Sequence, residues 1–357
     1  MNSLNPLEEM SRCGHERVCY HVDEDTGLRA IIAVHSTKLG NALGGVRRWH
    51  YTNDQDAVFD VLRLSEGMTW KAACAGLAMG GAKSVILLPE SGSVGTRERA
   101  HAMGRFIDTF NGAYIGAEDV GVSPQFTDWM LEKTDHVMGG TGEGQGGDPS
   151  PHTAMGVVYG MQASLQRVGR DQFAGLTIAL QGLGSVGTHL AQLLHERGAE
   201  LIVADSDDAK VCHVVDTCNA RAVSCDEILG VECDILAPCA LGAIFDEKSI
   251  AALKTGIICG AANNVLRDPE VDAHRLADRN ILYAPDFIVN AGGLIHLAGL
   301  YLGYTTAQLE AMIARIEETT MTVFEMTSKY KTPGHAALAL AKQRIEEGTA
   351  KEQVNAR

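Results

Sequence analysis

No apolar run in this chain approaches the ~20 residues needed to span a bilayer, and Met1 to Met10 is polar rather than signal-like. A cytoplasmic protein is expected. Positive charge is scarce: 30 Lys and Arg stand against 45 Asp and Glu, a net charge of −15. That disfavours nucleic acid or an anionic membrane as partner, so any anion site must be built from local Lys or Arg. Cys-x-x-Cys is absent, and the nine cysteines are odd in number and scattered, which predicts reduced thiols rather than a disulfide frame. Cys74, Cys233 and Cys259 lie among apolar neighbours, as core cysteines do. No His/Cys set has ligand spacing, so no metal is expected. Internal repeats and low-complexity tracts are lacking too. What remains is 357 residues of ordinary globular composition, 45% hydrophobic and 21% charged, enough for two domains.

The most informative stretch is QGLGSVG, Gln181 to Gly187. A strand-like run, Leu176 to Leu180, precedes it. Thr188 to Arg197 follows with leucines at helical spacing, and Gly198 is placed to end that helix. Leu201 to Ala204 is a second strand with Asp205 at its end. In this context Gly182 permits a tight turn, Gly184 lets backbone approach a pyrophosphate, and Gly187 lets helix and strand pack closely. The helix beginning near Ser185 and Val186 offers N–H groups to phosphates. Asp205, about 20 residues on, suits the ribose hydroxyls and would repel a 2′-phosphate, so NAD is expected over NADP. The bland alternative is a glycine turn that merely joins strand to helix.

Upstream, Leu28 to His35 is a predicted strand, and Lys38 to Gly45 a predicted loop whose glycines let backbone come near something. Asp54 to Gly67 and Thr96 to Phe110 have helical apolar faces. Ser84 to Leu88 is a strand, Tyr114 to Gly121 a short strand running into a loop, and Pro124 to Leu131 opens another helix. Gly139 to Pro151 is rich in glycine and marks the expected domain boundary. Beyond it, Thr153 to Val168 is helical, strand-like runs recur at Asp234, Gly256 and Ile281, and a helical tail closes the chain. The expected fold is α/β with two domains and a cleft between them: an N-terminal α/β domain carrying the candidate catalytic residues and, from 148 on, a Rossmann-type doubly wound NAD-binding domain.

Lys71, Lys83 and Asp119 stand out in the first half. Singly, each could be a surface charge snorkelling past an apolar face. Together they suit oxidation of an amino acid with release of ammonia. A Lys point charge holds the substrate carboxylate. A second Lys, discharged by burial and a neighbouring ammonium, activates water. A carboxylate handles protons on the substrate nitrogen, and NAD takes the hydride.

At these residues the sequence resembles the glutamate/leucine/phenylalanine/valine dehydrogenases, most of all the shorter branched-chain and aromatic members. The likeness rests on LGGVR (Leu43 to Arg47), GMTWKAACAGL (Gly67 to Leu77), GGAKSVI (Gly80 to Ile86), AEDVG (Ala117 to Gly121), DPSPHTAMGV (Asp148 to Val157), QGLGSVG, APCALG (Ala237 to Gly242), GAANN (Gly260 to Asn264) and YAPDFIVNAGGLIHL (Tyr283 to Leu297). The resemblance implies that Lys71, helped by backbone at Gly44 and Gly45, holds the substrate carboxylate. It makes Lys83 the general acid/base and Asp119 the partner of the amino group. Thr153 would touch the nicotinamide carboxamide, Cys239 and Ala240 would line the adenosine side, and Asn264 and Asn290 would lie near nicotinamide and substrate. It also implies a homo-oligomer and a C-terminal helix that returns to the first domain, so that the substrate-binding and catalytic domain is expected over 1–147 plus 331–357 and the NAD-binding Rossmann domain over 148–330.

Leu43, Ala117, Leu294 and Leu297 match the family's side-chain pocket, with ordinary core packing as the alternative. The two late leucines would shorten that pocket. The expected substrate is a small aliphatic, leucine- or valine-like L-amino acid. A phenylalanine-type enzyme and a non-catalytic NAD-binding regulator are the alternatives. A 2-hydroxy-acid dehydrogenase would need a His–acid pair with Arg, which the sequence does not offer. Asn41, His50 and His152 depart from the family pattern, and His152 is expected to be a polar loop residue.

Overall fold

The computed structural model describes residues 5–89, 96–240 and 242–355; the first four residues of the polar amino terminus and Leu241 of the APCALG block lie outside them. Two compact units result. The first takes in Met1–Asp148, Leu297–Thr305 and Ala341–Arg357; the second takes in Pro149–His296 and Thr306–Leu340.

The first unit is built on six strands: β1 (Arg17–Asp23), β2 (Leu28–Ser36), β3 (Ala42–Trp49), β4 (Gly80–Leu87), β5 (Tyr114–Glu118) and β6 (Val137–Met138). Their order in the sheet is β1-β2-β4-β3-β5-β6. β1, β2 and β4 pair antiparallel, whereas β4, β3, β5 and β6 run parallel. β2 is apolar without alternation because both its faces are covered. Ala30, Ile32 and Val34 pack with Met103, Phe106 and Phe126, and Ile31 and Ala33 pack with Val58, Val61 and Leu62 of the helix Asp54–Cys74.

That helix is continuous through Gly67 and carries Lys71 in its last turn. Asn53 caps its start by accepting from the Asp56 N–H. At its end Arg344, from the helix Pro333–Asn355, donates to the carbonyl oxygens of Ala73 and Cys74. The loop expected over Lys38 to Gly45 is corrected: only residues 38–41 turn, and Ala42 to Gly45 lie inside β3. Glycine imitates a turn in sequence, but here it marks strand positions where neighbouring backbone leaves no room for a side chain. A Cβ on Gly44 would sit 1.7 Å from the Ala82 oxygen.

The second unit holds β7 (Thr177–Gln181), β8 (Glu200–Ala204), β9 (Arg221–Ala222), β10 (Ile235–Pro238), β11 (Ile257–Ile258) and β12 (Leu282–Tyr283). All are parallel, in the order β12-β11-β10-β7-β8-β9. This is the doubly wound dinucleotide-binding order, in which the chain reverses direction between its first and fourth strands, β7 and β10. Ile178, Leu180, Leu201 and Val203 face one apolar layer, and Ala179, Ile202 and Ala204 face the other.

Two buried histidines tie the first unit together. His15 Nε2 donates to the Leu62 oxygen at 3.0 Å, and His35 Nε2 donates to the Cys13 oxygen at 3.0 Å. A neutral His35 ring then accepts from the Thr69 hydroxyl at Nδ1, 2.8 Å away. Burial outweighs the bond to Cys13 and pushes His35 down to about 4 from an ordinary 6.5. The folded state therefore holds this ring neutral while the unfolded chain binds a proton near pH 6.5. The stabilisation, roughly 3 kcal/mol, is complete above pH 6.5 and is lost as pH falls toward 4. Urea unfolding across this window is expected to show stability declining with acid, and His35→Gln to flatten the decline. Parallel curves for the two proteins would remove His35 as the cause.

Candidate active site

β3, β4 and β5 run parallel side by side, so alternate residues of each share a face. The register pairs Leu43 with Gly81 and Ile115, and Gly45 with Ala117. One face thereby carries Leu43, Gly45 and Arg47 from β3, Gly81, Lys83 and Val85 from β4, and Ala117 from β5, with Asp119 just beyond that strand's end. It is the face covered by the helix Asp54–Cys74, which comes so close that a Cβ on Gly81 would meet the Thr69 nitrogen at 2.1 Å.

The strand expected over Ser84 to Leu88 begins earlier, at Gly80, so Lys83 lies mid-strand, 5% exposed. Its Nζ donates to Asp119 Oδ2 at 2.9 Å. Gly45 makes this contact possible. A Cβ there would fall 3.0 Å from Lys83 Nζ and 2.6 Å from Asp119 Cβ. Asp119 also accepts from Arg47 Nε at 3.0 Å. Burial pushes its carboxyl up, but the cations Lys83 and Arg47 outweigh this and hold it at about 2. It is an anion throughout the neutral range.

Lys71 stands half-buried on the same helix as Thr69. Leu43 and Ala117 are buried on the Lys83 face; Gly44 bears the carbonyl that accepts from Tyr114 Oη at 2.9 Å. Leu294 and Leu297 are buried on the helix Gly292–Tyr301. Arg47 closes the LGGVR block without a role of its own there, and its second partner Asp60 carries no signal in the sequence. The one hint is alternation, which puts Arg47 on the face of Gly45.

In the second unit the three glycines divide their work. Gly182 adopts φ +99, and a Cβ on it would strike Ala240 at 2.8 Å. A Cβ on Gly187 would lie 2.1 Å from the Gly182 oxygen, whereas Gly184 faces open space. Gly184 begins the helix Ser185–His195 without a side-chain cap, leaving the N-terminus to offer backbone donors, with Val186 in its first turn. Asp205 Oδ2 accepts from the Leu183 N–H at 2.6 Å and Oδ1 from Asp207 at 2.9 Å. Cys239 and Ala240 follow β10 across the turn.

Asn290 is 3% exposed and donates to the Ala261 oxygen and to Asn263 Oδ1, yet its own Oδ1 has no partner. Asn264 is exposed and held at φ +53. The open Gly184, the uncapped helix start and the orphaned Asn290 oxygen fit a dinucleotide. Thr153 Oγ1 donates to the Pro149 oxygen, and Gly293 leaves it room. His152 requires a correction. It belongs to the helix Ser150–Arg167 rather than a loop, and its ring stacks on His296 at 3.8 Å. Nothing in the local sequence pairs two residues so far apart.

Two family models match the chain: the Glu/Leu/Phe/Val dehydrogenase dimerisation domain over residues 15–136, and glutamate/leucine/phenylalanine/valine dehydrogenase over residues 146–216 and 205–341. The chain belongs to the Glu/Leu/Phe/Val dehydrogenase family. It is thus an amino acid dehydrogenase, using a nicotinamide cofactor. Leucine dehydrogenase of Geobacillus stearothermophilus is 42% identical over 340 residues, covering 94% of this chain and 92% of that protein. Valine dehydrogenase of Streptomyces virginiae is 38% identical over 350 residues, 96% and 97% of the two chains. The crystal structure of L-tryptophan dehydrogenase from Nostoc punctiforme aligns with TM-score 0.84 at 36% identity, covering 96% of this chain and 99% of that one.

Gly45→Ala tests the geometry of the Lys83–Asp119 face. The added methyl must displace Lys83 or Asp119. Amino-acid-dependent reduction of the cofactor is expected to fall by about 100-fold while the far-ultraviolet circular dichroism stays that of the parent. Full activity in this variant would show that the 2.9 Å pair is dispensable.

Proposed function

We propose that this dehydrogenase carries out NAD-dependent oxidative deamination of a small aliphatic, leucine- or valine-like L-amino acid, reversibly. The observation that carries the reading is the buried Lys83 held 2.9 Å from an ionised Asp119. A carboxylate and an amine in contact can exchange protons with a nitrogen and a water in turn.

In this reading Lys71 binds the substrate carboxylate, aided by backbone at Gly44 and Gly45. When bound, the nicotinamide supplies the acceptor for the two electrons leaving the substrate carbon. Lys83 takes a proton from the water that attacks the resulting imine, and Asp119 passes protons to the nitrogen as ammonia departs. Thr153, Asn264 and Asn290 orient the cofactor and substrate. Gly182, Gly184, Ser185, Val186, Gly187, Cys239 and Ala240 cradle the dinucleotide. Asp205, clamped by two backbone N–H groups, favours NAD because a fixed anion repels a 2′-phosphate. We assign substrate handling to the first unit and NAD to the second. The dimerisation-domain match over residues 15–136 supports a homo-oligomer. A cytoplasmic setting is part of the same reading.

Leu43 and Ala117 are buried on the Lys83 face, and Leu294 and Leu297 are buried too. Four apolar side chains, two of them leucines on one helix, favour a compact aliphatic group. A methylene is worth only ~1–3 kcal/mol in such a pocket, so substrates should overlap. Valine, leucine, phenylalanine and tryptophan assayed with NAD and NADP test both choices. Leucine or valine with NAD is expected to give the highest kcat/KM, and Lys83→Ala to lose on the order of 100- to 10,000-fold. Phenylalanine or tryptophan ranking first would overturn the pocket assignment, and equal use of NADP would overturn the role of Asp205.

A further inference from the structure

Asp119 is held from two sides. Lys83 Nζ and Arg47 Nε both bond to Oδ2, at 2.9 and 3.0 Å, and neither bond reaches Oδ1. The other side of the same guanidinium is occupied as well. Arg47 Nη1 donates to Asp60 Oδ2 at 3.1 Å, Tyr51 Oη donates to that oxygen at 2.8 Å, and Arg63 reaches Asp60 Oδ1 at 3.3 Å. A planar fork can span two carboxylates in this way; an ammonium cannot.

The charge balance has a chemical consequence. An isolated lysine–aspartate pair holds its proton on the lysine, because the carboxylate has no other compensation. Here Asp119 is already compensated by Arg47, and Asp60 by Arg63 and Arg47 between them. With Lys83 neutral, the two carboxylates and two guanidinium groups sum to zero. We propose that Arg47 is a positioning residue for the reaction: clamped between Asp60 and Asp119, it pins Oδ2, leaves Oδ1 for the substrate nitrogen, and loosens the carboxylate's hold on the Lys83 proton. The catalytic half of this inference rests on the deaminase reading above; the electrostatic half does not.

The charged and titratable groups facing this cluster are Lys83 on β4, Arg47 on β3, Tyr51 after it, and Asp60 and Arg63 on the helix Asp54–Cys74; Tyr114 on β5 points to the opposite face, toward Ser84 and the Gly44 oxygen, and feels the Asp119 charge. Two substitutions should act with opposite sign. Arg47→Gln removes a cation and Asp60→Asn removes an anion. The readout independent of turnover is the pH dependence of reductive methylation at Lys83 by formaldehyde and dimethylamine-borane, followed by peptide mass spectrometry.

Against wild type, the Lys83 labelling midpoint should rise by about one pH unit in Arg47→Gln. It should fall in Asp60→Asn and stay near wild type in Arg47→Lys, which keeps the charge. The ascending limb of the kcat–pH profile should move with it, and kcat in Arg47→Gln should fall on the order of 10- to 100-fold. Lys83 midpoints unchanged in both Arg47→Gln and Asp60→Asn would overturn the proposal, whatever the activity. Opposite shifts in a protein that oxidises no amino acid would support the role of Arg47 and overturn the deaminase reading instead.

Discussion

The contact between Lys83 and Asp119 depends on a side chain that is missing. Lys83 points from the middle of a strand into a packed layer, where an unpaired ammonium would face a steep desolvation cost. Its partner Asp119 lies beyond the end of β5, on the far side of β3. The two can touch only across the β3 residue that separates them, and that residue is Gly45. A single methyl group there would occupy the space in which amine and carboxylate meet. The ion pair itself adds little to stability on general grounds. What the glycine secures is a fixed distance between a proton donor and a proton acceptor in a place water reaches poorly.

The second unit solves a different problem with a different material. Its anion-facing turn is made almost wholly of backbone, with Gly182 and Gly187 removing side chains so that β7, β10 and the helix Ser185–His195 close up. The one charged side chain at the turn, Asp205, spends both its oxygens on backbone N–H groups. A backbone cradle is indifferent to pH, whereas the Lys83–Asp119–Arg47 cluster is all ionisable. The partition suits a reaction whose cofactor must bind at any working pH while protons move elsewhere.

This difference in material explains what could be read from the sequence. Strand, glycine turn and helix follow one another directly in QGLGSVG and its flanks, and Gly187 acts on Gly182 within the run, so the strand–turn–helix context was legible from spacing, and the doubly wound order followed from alternation. Lys83 and Asp119 were legible as residue types, but their contact comes from a parallel register among three strands, which no local pattern records. Arg47 shows the limit more sharply. Beside Arg48 on a strand it looks like half of a charged pair, and only the face it shares with Gly45 makes it a neighbour of Asp119. The Lys38–Gly45 stretch misled for a physical reason: glycine is selected both by turns and by crowded strands, and the two leave the same letters. His152 needed His296 to acquire a structural meaning.

The helix Asp54–Cys74 links stability to the site. It presents Asp60 in its second turn, Thr69 against Gly81 of β4, and Lys71 in its last turn. At 1.5 Å per residue, Asp60 and Lys71 are roughly 16 Å apart along its axis, so one rigid rod sets both the clamp on Arg47 and the lysine assigned to the substrate carboxylate. Its height over the sheet is fixed by Thr69 resting on Gly81, and Thr69 is also the partner of the neutral His35 ring. Protonation of His35 turns Nδ1 into a donor, so that the Thr69 hydroxyl must turn to the Ser65 carbonyl oxygen at 3.4 Å, beside the place where Thr69 and Gly81 meet. Acid would therefore loosen the rod that carries Lys71 while Asp119, held at about 2, is still an anion.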